Sequence, residues 1–348
     1  MKSPRVSIII LNWNGWKDTI ECLESLYRIT YSNYDVIVVD NGSKDESIQK
    51  IKEYAKGDIK VSSKFFTYNP YNKPIRIFEV SENEARDGKF NRPLYEKYDV
   101  NKRLILIKNK NNYGFTGGNN VGLQFALSVL NPDYVLFLNN DTVVDKEFLT
   151  ELIKVAESDE KIGIVGSKIY YYDYKGRSDI VWALGGGGVD LKTGRAWHYG
   201  ISAQDKKVYK DTNKIGYITG CSMLVKKDIL IRLHGFDDAF FSYYEDVDIS
   251  LRAKSLGYRL SYALSSKVWH KVGATSGGDS VPFIVYIKAR NHVLLVKTHG
   301  NSLNLILAVI WLLTYKHARR FINFVFLQRN PRLLIHYYNG IKEGLLRY

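Results

Sequence analysis

The sequence predicts an α/β fold: a mostly parallel central sheet with helices on both faces, followed by a C-terminal helical extension. Three observations carry this. Short β-branched runs alternate with helix-like stretches through the first half of the chain. Those runs are apolar at successive positions rather than at every second one, which is the mark of strands covered on both faces. Basic and apolar residues then concentrate at the C-terminal end.

In order along the chain, VSIIIL (6–11) reads as the first strand. Asp18 to Arg28 follows as a helix, with Ile20, Leu23 and Tyr27 on one face and Leu26 beside them. YDVIVVD (34–40) is a second strand, and Ser43 to Tyr54 a second helix, capped by Ser43 with Glu46 three positions on. RLILIKN (103–109) is a third strand, Gly118 to Leu130 a third helix and YVLFLNN (134–140) a fourth strand. The polar stretch 56–102 has three prolines and no clean period, and is expected to be a surface insertion with one hairpin and no chemistry. Further strands are expected in GIVGSKIYYY (163–172) and YITGCSMLVK (217–226), around the glycines 185–188. DVDISLRAKSLG (246–257) is a helix ended by Gly257. The expected division is a domain over 1–280 and a helical tail over 281–348.

The chain has 348 residues, of which 45% are apolar, enough for a sizeable core. Its two cysteines, Cys22 and Cys221, cannot form a disulfide framework or a four-thiolate zinc site, and read as reduced, buried thiols. The six apolar residues before Asn12 are too few for a signal-peptide core, so a cytoplasmic protein is expected. From Ser280 onward ten lysines and arginines face one acid, Glu343, so this tail holds +9 of the net +14. The charges alternate with LNLILAVIWLL (303–313) and FINFVFL (321–327). A run of eleven apolar residues is too short to span a bilayer, which takes roughly twenty. The mixture suits helices lying on an anionic membrane surface, at the inner face of the cell membrane. The alternative is a helical cap packed on the core. No nucleic-acid-binding motif accompanies the basic residues, so nucleic acid is not an expected partner.

Ligands of parallel sheets bind beyond the carboxyl ends of the strands, which groups Asn12 to Asn14, Asp40 to Ser43 and Asn139 to Asp141 into one neighbourhood. A carboxylate at a strand end, as in YVLFLNNDT (134–142), can hold Mg²⁺ or Mn²⁺ together with substrate phosphates. A turn that caps the next helix is the competing reading. NNYGFTGGNN (111–120) has glycines that let backbone amides approach a phosphate at a helix start. It matches neither the dinucleotide fingerprint nor a P-loop. Glu245, Asp246 and Asp248 open a helix after an aromatic run, where acids suit the helix dipole or where one of them acts as a general base. His270 ends a strand and is either structural or a metal ligand.

Seven segments in order, VSIIILNWNGWKDTIECLESL, VIVVDNGSKDES, NKNNYGFTGGNNVGL, YVLFLNNDTVVD, ITGCSMLVKKDIL, GFDDAFFSYYEDVDISLRAKSLGY and VWHKVGATSG, together resemble a family-two inverting glycosyltransferase of the GT-A fold, in its rhamnosyltransferase-like branch. The resemblance covers about residues 5–280. It implies an inverting hexosyl or deoxyhexosyl transferase that takes a nucleotide-sugar donor, a glycan or lipid-linked acceptor and a divalent metal. It places Asn12, Asn14, Asp40, Asn41, Gly114, Gly117, Asn119, Asn139 and Asn140 about the donor. Asp141 and His270 would hold the metal, and Asp246, beside Glu245, would be the base. Asn139 stands where the family's metal motif has its first aspartate; its neutral amide is a weaker ligand, and contact to the ribose is its other use. Three rivals remain. A sugar nucleotidyltransferase carries a glycine-rich, lysine-containing loop after the first strand, where this chain has LNWNGWKD. A processive polysaccharide synthase carries a Gln-x-x-Arg-Trp motif and spanning helices, and this chain has neither. The third is a non-catalytic protein that binds sugar or nucleotide.

Overall fold

The computed structural model describes residues 3–205, 215–272 and 280–346. Strands β1 (Val6–Asn12), β2 (Tyr34–Asp40), β3 (Arg76–Ser81), β4 (Arg103–Lys108) and β5 (Tyr134–Asn139) come first. After them run β6 (Thr142–Val144), β7 (Ile162–Tyr171), β8 (Val181–Leu184), β9 (Gly186–Asp190), β10 (Arg195–His198), β11 (Tyr217–Ile218), β12 (Ser222–Lys226) and β13 (Arg259–His270). The central sheet has the order β3-β4-β2-β1-β5-β12-β7-β13-β6, with β8 branching from β7. Its left half is parallel throughout, and β12 enters antiparallel between β5 and β7. This is the mostly parallel α/β sheet expected from the sequence.

The helices are α1 (Trp16–Leu26), α2 (Ser47–Lys56), α3 (Glu82–Asp87), α4 (Arg92–Tyr95), α5 (Gly114–Phe125) and α6 (Phe148–Ala156). They continue with α7 (Lys227–Leu233), α8 (Glu245–Ser255), α9 (Pro282–His299), α10 (Ser302–Trp311), α11 (His317–Phe321) and α12 (Leu333–Leu346). Side chains alternate across β1: Ile8 and Ile10 join α1, α2 and α6 in one core, while Ile9 joins α5, α7 and α8 in another. That division explains the unbroken apolar run, because each face of the strand has its own cover.

Three details differ from expectation. Ser43 caps no helix; its hydroxyl is taken by the Asn12 side chain and the Asn14 amide, and α2 begins at Ser47. A capping box occurs instead at Ser81 and Glu84, inside the stretch expected to be a surface insertion. That stretch supplies β3, an edge strand parallel to β4, and no hairpin appears in it. Helix α5 starts four residues before Gly118, at Gly114. The glycines there continue the helix because it lies close on the sheet: a Cβ on Gly122 would meet Ile9 and Val39 at 2.9 Å.

The four glycines 185–188 let a small three-stranded sheet, β10-β9-β11, form against the central one. A Cβ on Gly186 or Gly187 would overlap the carbonyl oxygen of Tyr217 or of Trp197, respectively. The C-terminal helices pack on this body through α9. Val285, Ala289 and Val293 face α12, while Leu294 and Leu295 join Phe240, Val247 and Tyr217. So the tail packs on the core, as the cap alternative required. It also leaves Leu303, Ile306, Leu307, Ile310 and Leu313 exposed. Among the described residues no helix is long and apolar enough to cross a membrane.

At the amino ends of the strands, the fully buried Asp35 carboxylate pairs with Arg5 at 2.8 Å and Arg103 at 3.1 Å. Removing one member of a buried ion cluster strands the others. Asp35→Ala is therefore expected to lower the unfolding free energy by about 3 kcal/mol, read as a shifted urea midpoint.

Candidate functional site

The loops after β1, β2 and β5 meet because the strands are in register, with Asn12 opposite Asp40 and Leu11 opposite Asn139. Buried polar groups in such a crevice must satisfy one another. Asn12 donates to the Asp40 carboxylate at 2.8 Å, and the other Asp40 oxygen accepts from the Ser43 amide at 3.1 Å. Thr19 donates to the Asn12 carbonyl at 2.8 Å, and Asn140 donates to Thr19 at 3.0 Å. Thr19, on α1, is the hinge of this network and was not singled out by sequence reasoning. Asn14, at φ +51°, accepts from the Lys44 amide at 2.7 Å and so fastens the first loop to the second. Asn41 accepts from Asn109 and from the Tyr113 amide, and donates to Asn112 and the Gly114 carbonyl.

The expected donor residues are thus brought together, but several turn inward. Asp40 is 1% exposed and Asn119 is 2% exposed, with the Asn119 amide given to the Phe115 carbonyl. Gly114, at φ +71°, is pressed against the Phe241 carbonyl, where a Cβ would overlap. The Thr116 amide donates to that same carbonyl at 3.1 Å. In this structure, then, the glycine-rich helix start is closed onto the 236–244 loop rather than open to a phosphate. Its glycines serve close approach between two segments of the protein.

Asp141 and His270 are neighbours because β13 pairs with β6, setting His270 opposite Thr142. The Asp141 Oδ1 and His270 Nε2 atoms lie 3.2 Å apart, both side chains almost wholly buried. The His270 ring stands edge-on to Trp182, with centroids 4.8 Å apart. Burial opposes charge on His270, yet the Cys221 thiol and the Asp141 carboxylate together raise its pKa well above the ordinary value. Burial also pushes the Cys221 thiol up, so the charge that matters to the imidazolium is that of Asp141. Two ligand atoms about 3 Å apart match adjacent positions around a six-coordinate cation with bonds of about 2.1 Å. Among the described residues no group of three or more histidines, cysteines, aspartates or glutamates could hold a metal. A bound cation would therefore need phosphate oxygens and water to complete its shell, as Mg²⁺ and Mn²⁺ commonly accept.

Asp246 is the second residue of α8. Its Oδ2 accepts from the Gly220 amide at 3.1 Å and its Oδ1 from the Val247 amide at 2.8 Å. Burial raises its pKa to about 6. Glu245 is buried more deeply and its pKa is driven well above the usual range, first by burial and then by the charge of Asp246. Its Oε2 finds no hydrogen-bond partner among the described residues. The adjacent acids thus meet different surroundings: two backbone amides reach Asp246, and among the described residues none reaches the Glu245 Oε2. Asp248 belongs to neither role: it is fully buried against Arg252 at 2.7 Å and His299 at 2.8 Å.

The turn Thr219–Cys221 joins the two groups of residues. The Gly220 amide holds Asp246, the Cys221 carbonyl accepts from the Asn139 amide at 3.0 Å, and the Cys221 thiol lies against His270. Sequence reasoning included this turn in the family resemblance but gave it no role. A glycine between two strand segments was its only visible signal. The last part of the seventh motif, 273–277, lies outside the described residues.

Comparison with known proteins identifies the family and the fold. The sequence profile of glycosyltransferase-like family 2 matches residues 69–291, and that of glycosyl transferase family 2 matches residues 7–84. The chain is similar to the rhamnosyltransferase WbbL of Escherichia coli K12, with 29% identity over 43% of this chain and 58% of that protein. It is similar to an N-acetylglucosaminyl-diphospho-decaprenol L-rhamnosyltransferase of Mycobacterium tuberculosis, with 23% identity over 33% of this chain and 38% of the other. Both matches therefore span less than two thirds of the relative's length. Among solved structures, the mannosyltransferase PcManGT of Pyrobaculum calidifontis, in complex with GDP-Man and Mn²⁺, superposes with a TM-score of 0.54 at 14% identity. That likeness covers 99% of this chain and 87% of the other, and it shows that the fold is shared.

Proposed function

The chain belongs to the family-2 glycosyltransferases, and from that premise we propose that it moves a sugar from a nucleotide-sugar donor to an acceptor hydroxyl with inversion at the anomeric carbon. The observation that carries the reading is the Asp246 carboxylate, held by the Gly220 and Val247 amides with its pKa raised to about 6, and tied by the 219–221 turn to Asp141 and His270. Asp246 takes the proton of the acceptor hydroxyl, and the oxygen attacks the anomeric carbon from the face opposite the leaving group. The bond from that carbon to the diphosphate oxygen breaks, and nucleoside diphosphate departs with the electron pair. A divalent cation, Mg²⁺ or Mn²⁺, held by Asp141 and His270 and by the donor's own phosphates, would supply charge neutralisation at the leaving diphosphate. The complex of PcManGT with GDP-Man and Mn²⁺ supports both the donor class and the metal. Asn12, Asn14, Asp40, Asn41, Asn139 and Asn140 shape the loops on which the donor would rest, and Asn139 adds a neutral amide beside Asp141. Gly114, Gly117 and Asn119 act by packing those loops.

The name of the Mycobacterium tuberculosis relative supports an acceptor sugar carried on a lipid diphosphate. The exposed apolar residues of α10, Leu303, Ile306, Leu307 and Ile310, lie on one side of the helix by their spacing of three and four. Arg319, Arg329 and Arg332 are exposed on the segments that follow. This combination supports seating on an anionic membrane surface at the cytoplasmic face, where a lipid-linked acceptor presents its hydroxyl.

The following outcomes test the proposal. Release of nucleoside diphosphate should rise about tenfold per pH unit below about pH 6 and level off above it, because Asp246 must be ionised to accept a proton. Asp246→Asn should lower kcat by about 10²–10⁴-fold while donor binding survives. Donor and Mn²⁺ together should raise the unfolding temperature beyond the sum of their separate effects, and Asp141→Ala or His270→Ala should remove that excess. The 348-residue chain should sediment with anionic but not neutral liposomes. The double change Ile306→Glu and Ile310→Glu should abolish that sedimentation and leave transfer to a soluble acceptor intact.

A further inference from the structure

The loop that leads into α8 has a backbone shape its own sequence does not favour. Phe241, Tyr243 and Tyr244 have φ of +61°, +67° and +71°, a region unfavourable to bulky aromatic residues. Tyr244 is the residue from which α8 springs, so this shape sets where Glu245 and Asp246 begin. Such a conformation persists only when its surroundings over-determine it.

The surroundings are identifiable. Five consecutive carbonyls, from Ala239 to Tyr243, are engaged from outside the loop. Arg290 on α9 donates through Nη2 to the carbonyls of Ala239 at 2.6 Å and Phe240 at 3.0 Å. Asn291 directs its Nδ2 at the carbonyls of Phe240, Ser242 and Tyr243, at 2.7, 2.8 and 2.7 Å. The Phe241 carbonyl is taken by the Thr116 amide of α5. Arg290 Nε also donates to the Asn291 carbonyl oxygen at 2.9 Å, which fixes the amide with its nitrogen toward the loop. Both side chains are buried, Arg290 at 5% and Asn291 at 0% exposure. A guanidinium and an amide in a helix core, with their donors spent on carbonyls that would otherwise reach water, do more than fasten α9. Apolar residues would fasten it as well, as Leu294 and Leu295 already do.

We propose that Arg290 and Asn291 are positioning residues for the transfer reaction. They clamp the 239–244 loop in its left-handed shape and thereby hold the Asp246 carboxylate against the Gly220 amide. The inference rests on Asp246 being the base, and it assigns a catalytic consequence to two residues outside the crevice.

The test compares the wild-type chain with Asn291→Asp, which keeps the side-chain size but removes the donors, and with Arg290→Lys, which keeps the charge but loses the planar fork. Amide exchange over 239–246, kcat, the donor KM and the pH midpoint of kcat are measured for each. Faster exchange in this loop, a fall in kcat of about tenfold or more, and a donor KM within about threefold of wild type are expected. The pH midpoint should move upward, because a carboxylate that loses a donated hydrogen bond binds its proton more tightly. A folded variant with a loosened loop whose kcat and pH midpoint match wild type would overturn the proposal. If Asn291→Asp does not fold, Arg290→Lys carries the same comparison. A wild-type chain that transfers no sugar would strike the proposed base itself, whereas an active wild type with indifferent variants strikes only the positioning role.

Discussion

The hydrogen bond from the Gly220 amide to Asp246 is the contact on which the remainder of the crevice turns. It is made by a backbone group in a turn between β11 of the small sheet and β12 of the large one, so both sheets must be in place before the amide points correctly. The neighbouring residue of that turn touches the other half of the site, through its carbonyl to Asn139 and its thiol to His270. A rigid turn of three residues can therefore keep two chemically different groups in a constant relation. Neither group could do this through its own side chain, since Asp246 stands on a helix and Asp141 follows a strand of the central sheet.

Burial then gives the placed groups distinct characters. Glu245 and Asp246 are adjacent in sequence but meet different surroundings: one has no donor for its Oε2 among the described residues, and the other has two backbone amides. Water exclusion raises both, and the amides keep Asp246 within reach of ionisation. At His270 burial is outweighed, because the neighbouring Asp141 carboxylate favours the charged imidazole in a pocket that alone would not.

Much of this was legible in the residues. Unbroken β-branched runs identified the buried strands, and the rule of carboxyl-edge binding gathered Asn12, Asp40 and Asn140 before any contact was known. The resemblance led to the family that the profiles confirm. Less visible were features set by distant partners. Ser43 resembles a helix cap from its local spacing, but Asn12 and Asn14 claim its hydroxyl. The glycines 114–118 suggest an open loop, yet the space they leave is filled by Leu11, Asn41 and Phe241. Strand β3 was hidden because an edge strand is half exposed and carries no apolar run. Arg290 and Asn291 read as two polar residues in a helix; nothing local announces that their partners lie fifty positions earlier.

That distance implies an order of assembly. The strands that frame the crevice are complete at His270, and α8 is synthesised just before the last of them, β13. The carbonyls from Ala239 to Tyr243 must wait for residues 290 and 291, and α9 in turn rests on α12 at the end of the chain. A nascent or clipped polypeptide lacking its last helices would thus have the crevice walls without a clamped 239–244 loop. The position of the loop before Asp246 is then settled by connectivity, only when the helices that follow the last strand have packed.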